Sequence, residues 1–271
     1  MDAWTVWQEV NVTGLLLGVL QGIFEWLPVS SEGIVAFVYS LTDQGTFNDA
    51  VHFALWLHIG TAPTAVIVFR REVAAVLEDV FMRPRNMTAR TRFLLVATLV
   101  SGALGLPILI FVQEIGMFAG SVSMVVIGLL MALTGLVQLK GQTRTIRPVE
   151  KLKAIDGVIA GLAQGLAVLP GLSRSGLTIA SLVGMGLDRR DALTLSFLMG
   201  VPASVGASTY VLMNSAVTIS ANTILASVIA FVTGMVTIKL MLVVAQRVNM
   251  GWFISLMGLL MAAGGVLSTL A

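Results

Sequence analysis

Leu27-Pro28-Val29-Ser30-Ser31 interrupts an otherwise apolar run over residues 11–41, and Leu169-Pro170-Gly171-Leu172-Ser173-Arg174-Ser175 interrupts a second one over residues 155–187. Proline removes a backbone donor and clashes with the preceding helical turn, and a Pro-Gly pair ends a helix. Irregular backbone at membrane depth persists only where protein or water satisfies its polar groups. Each run therefore reads as a re-entrant helical hairpin with a polar break at its tip.

The two breaks resemble each other. Gly14, Gly18, Gln21, Gly22, Leu27 and Pro28 align with Gly157, Gly161, Gln164, Gly165, Leu169 and Pro170, and Ser31 and Gly33 fall approximately on Ser173 and Gly176, an offset of 142 or 143 residues. A bilayer core about 30 Å thick needs about 20 apolar residues in a helix. Six uninterrupted stretches meet that length: residues 50–70, 93–112, 117–138, 192–213, 222–243 and 252–270. Residues 1–139 and 140–271 thus each hold one hairpin and three spans. A hairpin returns to the side it left and three spans do not, so the second copy is inverted. The expected fold is an all-α integral membrane protein, six transmembrane helices plus two re-entrant helical hairpins in two inverted-topology repeats of one membrane domain.

Composition agrees. Of 271 residues, 57% are hydrophobic and only 11% charged, far below the roughly 25% charged residues of soluble domains. Mean hydropathy is +0.95. The net charge of +2 and a pI of about 9.3 come from basic residues gathered in two loops, which argues against nucleic acid as a partner and for phospholipid headgroups. The absence of cysteine excludes disulfides, thiol catalysis and cysteine metal sites. The acidic start, MDAWTVWQEV, lacks the basic region of a cleavable signal peptide. Arg70, Arg71, Arg83, Arg85, Arg90, Arg92, Lys140, Arg144, Arg147, Lys151, Lys153, Arg189, Arg190 and Arg247 all fall on one face of this topology, with Lys239 in snorkelling reach. The other face carries Asp2, Glu9, Asp43, Asp49 and Glu114 and no Lys or Arg. The positive-inside rule then puts both termini of this plasma-membrane protein outside the cytoplasm, with the first hairpin entering from outside and the second from the cytoplasm.

The hairpins also hold the chemistry. Gln21 and Glu25 are four residues apart on one helical face that ends at the break. A carboxylate at membrane depth is costly unless paired or hydrated, so Glu25 is either a functional residue or a structural one held by a cation such as Arg174. Around the second break, Ser173, Arg174, Ser175 and Thr178 combine a guanidinium, three hydroxyls and a helix start, a suitable set for a phosphate. The same arginine could serve structurally, satisfying Glu25 or open carbonyls. Hairpin tips meeting near the midplane would gather Glu25, Ser30, Ser31, Ser173, Arg174, Ser175 and Thr178 into one polar pocket.

QGIFEWLPVSSEG followed by PGLSRSGLT, with Phe69-Arg70-Arg71 closing the first span and Ser196 to Leu198 opening the second half's first span, resembles the undecaprenyl-diphosphate phosphatase, or bacitracin-resistance, family. The likeness covers nearly the whole chain. It implies hydrolysis of an isoprenoid diphosphate lipid to the monophosphate and inorganic phosphate outside the cytoplasm, recycling the lipid carrier of cell-envelope glycan and peptidoglycan synthesis, with antibiotic resistance as the associated trait. It also implies a divalent cation, Mg²⁺ or else Ca²⁺. By position it casts Gln21 and Glu25 as the acidic motif and metal contact, Ser31 as nucleophile and Arg174 as the phosphate-binding arginine. Ser30, Ser173, Ser175 and Thr178 are expected to line the phosphate site. The family's Ser-Ser-x-Gly-His pattern reads Ser30-Ser31-Glu32-Gly33-Ile34 here, so the acid/base must come from elsewhere. Glu25 and Glu32 are candidates, and so is His58, about 15 Å into the first span. Both His58 and His52 also fit a histidine merely packed between helices. The missing imidazole leaves a second expectation open, a non-hydrolytic transporter or flippase of polyprenyl phosphate or another anion.

Three lesser features complete the reading. Small residues at Gly102-Ala103-Leu104-Gly105 and Ala262-Ala263-Gly264-Gly265 suit close contact between the halves or within a homodimer. The scattered methionines and phenylalanines read as packing or lipid-facing residues. Residues 73–85 have the pattern of an amphipathic surface helix.

Overall fold

The computed structural model describes residues 12–40, 47–115, 121–140, 147–169, 171–214, 216–244 and 251–270. Among these residues there are eleven α-helices, one short 3-10 turn and no strand. The helices are α1 (Val12–Phe24), α2 (Ser31–Ser40), α3 (Phe47–Val68), α4 (Arg70–Met82), α5 (Ala89–Ile115) and α6 (Ser121–Lys140), followed by α7 (Ala154–Leu166), α8 (Arg174–Gly184), α9 (Arg189–Met213), α10 (Ala221–Val244) and α11 (Gly251–Leu270). Within α3, α5, α9 and α10 the segments Asp49–Val68, Ala89–Val112, Arg189–Met213 and Ala221–Val243 are long and apolar enough to cross a bilayer. Shorter apolar segments lie in α1, α6, α7 and α11. Leu99, Val236, Leu259 and Leu267 are among many large apolar side chains turned outward, a surface that suits hydrocarbon rather than water. The chain is a multi-pass membrane protein.

Both expected breaks are present, and each ends in a serine cap. α1 stops at Phe24, the chain turns through residues 25–30, and Ser30 Oγ accepts the Gly33 N–H at 3.1 Å. α7 stops at Leu166, and Ser173 Oγ accepts the Gly176 N–H at 3.1 Å to start α8. Gly171 between them has φ of 102°, and a Cβ there would lie 2.6 Å from the Ile127 carbonyl oxygen, so only glycine fits. Pro170, Arg144, Arg247 and the acidic Asp2, Glu9 and Asp43 lie outside the described residues, as do the first residues read for a signal peptide and the side chains of Glu114 and Lys140.

Helix pairing exchanges between the halves. α1 packs on α10 as α7 packs on α5; α6 packs on α11 and α3 on α9; α2 meets α3 as α8 meets α9. Glycines set the close approaches: a Cβ at Gly18 would lie 2.4 Å from the Ala226 oxygen, and one at Gly161 2.8 Å from the Ala97 oxygen. The small residues near 262 serve contact between halves, since a Cβ at Gly128 would lie 2.5 Å from Ala262 N and one at Gly265 2.9 Å from Val125 N.

The amphipathic segment is α4, which starts at Arg70 rather than at 73 and exposes Leu77, Phe81 and Met82. Phe69, buried against Phe197, marks the bend out of α3. Several arginines expected in loops, Arg70, Arg71, Arg90, Arg92, Arg189 and Arg190, instead occupy first turns of α4, α5 and α9. Asp79 folds the next loop back: it accepts the Thr88 N–H at 3.0 Å, the Thr88 hydroxyl at 2.7 Å and the Thr91 hydroxyl at 2.6 Å. The hydroxyls of Thr91 and Thr88, with the Thr88 N–H, hold its carboxyl at about 2. Arg147 ties the start of α7 to the turn after α8. Its guanidinium grips Asp156 at 3.1 and 2.7 Å while its N–H donates to Gly186 O at 2.7 Å.

Candidate active site

The two breaks meet inside the bundle. Ser30 Oγ accepts the Gly171 N–H at 3.2 Å, and Ser175 Oγ donates to Leu27 O at 2.8 Å, so each break satisfies backbone of the other.

Glu25 lies at the centre. Its N–H still bonds Gln21 O at 2.9 Å, which keeps both side chains on one face just past the end of α1. Gln21 Nε2 donates to Glu25 Oε2 at 3.0 Å and Ser31 Oγ donates to the same oxygen at 2.9 Å. Arg174 Nη2 donates to Oε1 at 2.5 Å, with the two side chains only 12% and 1% exposed. A buried carboxylate held by a guanidinium and two neutral donors meets the condition for a charge at membrane depth.

The expected second carboxylate and the imidazole are also here. Ser31 Oγ lies 3.3 Å from Glu32 Oε2. His58 Nε2 reaches across from α3 to within 3.4 Å of Glu25 Oε2 and 3.5 Å of Glu32 Oε1. Its Nδ1 is 3.0 Å from Ala54 O, so that nitrogen donates to the carbonyl and Nε2 faces two acceptors. His58 is thus both bonded to a carbonyl and part of the polar cluster. His52 is half-buried and lines neither this cluster nor the cavity beside it.

The remaining hydroxyls are engaged within the fold. Thr178 Oγ1 donates to Arg174 O at 2.8 Å and lies 2.6 Å from Ser196 Oγ. Ser173 Oγ is both the α8 cap and 3.4 Å from Ser175 Oγ. What stays open is the guanidinium: Arg174 Nη1 is buried without a partner, as is Gln21 Oε1. A buried donor of this kind needs a partner from outside the fold's own side chains, such as water, an ion or a bound anion. Sequence reading missed two supports of that arginine. A Cβ at Gly200 would sit 1.5 Å from Nη1, so the guanidinium lies over a bare backbone. Gln164 Nε2 bonds Met199 O at 3.3 Å and Ser101 Oγ at 3.0 Å, pinning the α9 turn beneath it. The alignment of Gln164 with Gln21 was the available signal.

A cavity of about 390 Å³ adjoins the cluster. Glu32, His58 and Arg174 face it at one end with Thr98, Ser101, Gln164 and Ser204. Val51, Leu55, Leu106, Leu109, Ala207 and Tyr210 continue it toward the ends of the bundle where α3 begins and α9 finishes.

One ligand atom each from Glu25, Glu32 and His58 lie within 4.8 Å of one another. With the unpartnered Gln21 Oε1 nearby, this oxygen-rich set fits a hard divalent cation.

Comparison with known proteins agrees with this geometry. The family described as "Bacitracin resistance protein BacA" matches residues 14–263. A relative from Methanococcoides burtonii named undecaprenyl-diphosphatase is 36% identical over 256 residues, 91% of this chain and 95% of its own. One of the same name from Haloarcula marismortui is 31% identical over 266 residues, 96% and 98% of the two chains. A third, from Methanothrix thermoacetophila, is 34% identical over 255 residues, 92% and 94% of the two chains. A match over so much of both lengths, on a fold whose two helix breaks join Arg174 to Glu25, means that this chain belongs to the bacitracin resistance protein BacA family.

Proposed function

We propose that the protein hydrolyses undecaprenyl diphosphate to undecaprenyl phosphate and inorganic phosphate within the membrane. The observation that carries this is the unmet Arg174 Nη1 beside a serine that lies within hydrogen-bond reach of two carboxylates. Ser31 Oγ attacks the terminal phosphorus, the bond from that phosphorus to the bridging oxygen breaks, and the polyprenyl monophosphate leaves. Glu25 is fixed by Arg174 and Gln21 and orients the Ser31 hydroxyl. Glu32 is the more open carboxylate, 20% exposed, and takes the serine proton; His58 shares that proton between the two glutamates. Glu32 passes that proton to the departing monophosphate; water then attacks the phosphoserine and gives a proton to Glu32, which returns it to Ser31 Oγ as phosphate is released. Arg174 neutralises the equatorial oxygens throughout. Ser30, Ser173, Ser175 and Thr178 fix the frame that aims these groups.

Glu25, Glu32, His58 and Gln21 would hold the divalent cation, Mg²⁺ or Ca²⁺, which when bound supplies further neutralisation of the diphosphate charge. The missing family histidine at Ile34 no longer favours a non-hydrolytic transporter, because His58 brings an imidazole to the cluster from another helix.

The finer layout belongs to the same reading: six spans and two re-entrant hairpins, with residues 1–139 and 140–271 as inverted repeats. The exchanged helix pairs support it. The cavity's apolar end lies at the ends of the bundle assigned by charge to the non-cytoplasmic side, which supports a substrate mouth there. Purified protein in lipid nanodiscs with Mg²⁺ is expected to release phosphate from undecaprenyl diphosphate. A folded preparation inert on every isoprenoid diphosphate overturns the proposal.

A further inference from the structure

We infer that the substrate's isoprenoid tail leaves the site sideways, through a glycine-lined portal between α5 and α9 formed by Gly102, Leu106, Pro202 and Gly206. This rests on the phosphatase reading and says where its lipid lies. A cavity of about 390 Å³ is near the lower end of the roughly 300–1,000 Å³ of sites that enclose drug-sized ligands. It can hold a diphosphate and the first isoprene units; the rest of an undecaprenyl chain must lie outside it.

The seams around the cavity differ. At the α3/α9 seam Ser208 Oγ donates to Leu55 O at 3.4 Å, and where α5 meets the end of α7 a Cβ on Gly105 would lie 2.9 Å from Val168 Cγ2, so both are shut. At Gly102 and Gly206 an added Cβ meets nothing within 4 Å. Gly102, Leu106, Pro202 and Gly206 line the cavity and are all exposed, whereas Gly105, Leu109 and Ser204 beside them in the lining are buried, so the lining is open along this gap. α9 meets α5 less extensively than α10 meets α3, although these two pairs correspond under the exchange of halves. The inner end of the same cavity presents Arg174, with its unmet Nη1, and Gln164, with an unmet Oε1. An anionic head at the arginine and an apolar tail through the α5/α9 gap satisfy both ends of one amphiphile.

The test narrows the portal with Gly206→Leu and Gly102→Leu. Gly264→Leu, whose glycine also faces open space but on α11 away from the cavity, serves as control. The readout is the ratio of kcat/KM for undecaprenyl diphosphate in nanodiscs to kcat/KM for isopentenyl diphosphate, whose tail is too short to need the portal. The ratio is expected to fall about tenfold or more in the two portal variants and to hold in the control. An unchanged ratio, or an equal fall in the control, overturns the portal. Should wild type hydrolyse neither substrate, the phosphatase reading falls alone, and binding of a non-hydrolysable methylene-bridged undecaprenyl diphosphonate decides the portal. Weaker binding in Gly206→Leu than in Gly264→Leu supports it, and equal binding contradicts it.

Discussion

The two helix breaks are built alike and charged oppositely. Each interrupts a Gly-rich apolar helix, each restarts on a serine cap, and each lends a hydrogen bond to the other's backbone. The first break brings Glu25, Ser31 and Glu32. The second brings Arg174, and where the first has Glu25 four residues after Gln21, the second has Val168 four residues after Gln164. Neither set is tolerable alone in a membrane: a carboxylate pair without a cation, or a guanidinium without an anion, costs several kcal/mol. The shared frame gives close packing; the difference in charge makes one site that needs both halves.

Removing the charge of the second break gives the largest effect. Arg174→Ala is expected to lower kcat for undecaprenyl diphosphate about 10³-fold or more, measured as phosphate release. Ser31→Ala tests the first break to a similar depth, and phosphoserine trapped by rapid acid quench should vanish with it; phosphoserine that persists would move the nucleophile elsewhere. Glu32→Gln and His58→Gln are smaller, about 10²-fold, and each should change the pH profile of kcat, which a purely structural role would leave unmoved. Ser175→Ala strikes only the frame, leaving Leu27 O without its donor, and should cost about 1–2 kcal/mol of stability in thermal unfolding. The smallest effect lies outside both breaks. Asp79 is held at about 2 against 3.8 for the free carboxyl, so its contribution is complete above about pH 4 and is lost as pH falls from there toward 2. Asp79→Asn should flatten the pH dependence of unfolding in that window, and a variant that keeps the wild-type slope would remove Asp79 from the account.

The sequence carried the parts of this site that depend on local spacing. Gln21 and Glu25 meet because four residues make about one helical turn, and Arg174 meets Glu25 because each flanks one of two helix breaks that join. His58 was legible through its depth in the span. The hydroxyls were less so: serine and threonine satisfy backbone as readily as ligands, and Ser175 and Thr178 donate to carbonyls here. Gly200 beneath Arg174, the Gln164 link to Met199 and the open α5/α9 seam depend on how separate helices cross, which no local pattern encodes.

A double-mutant cycle on Glu25→Gln and Arg174→Ala, read as kcat/KM for phosphate release from undecaprenyl diphosphate, tests the shared site most directly. If the two breaks form one unit, either substitution alone removes most of the activity, and the double variant is no worse than the poorer single one. Losses that multiply, so that the double variant falls by the product of the two, would show the breaks acting independently and contradict the account.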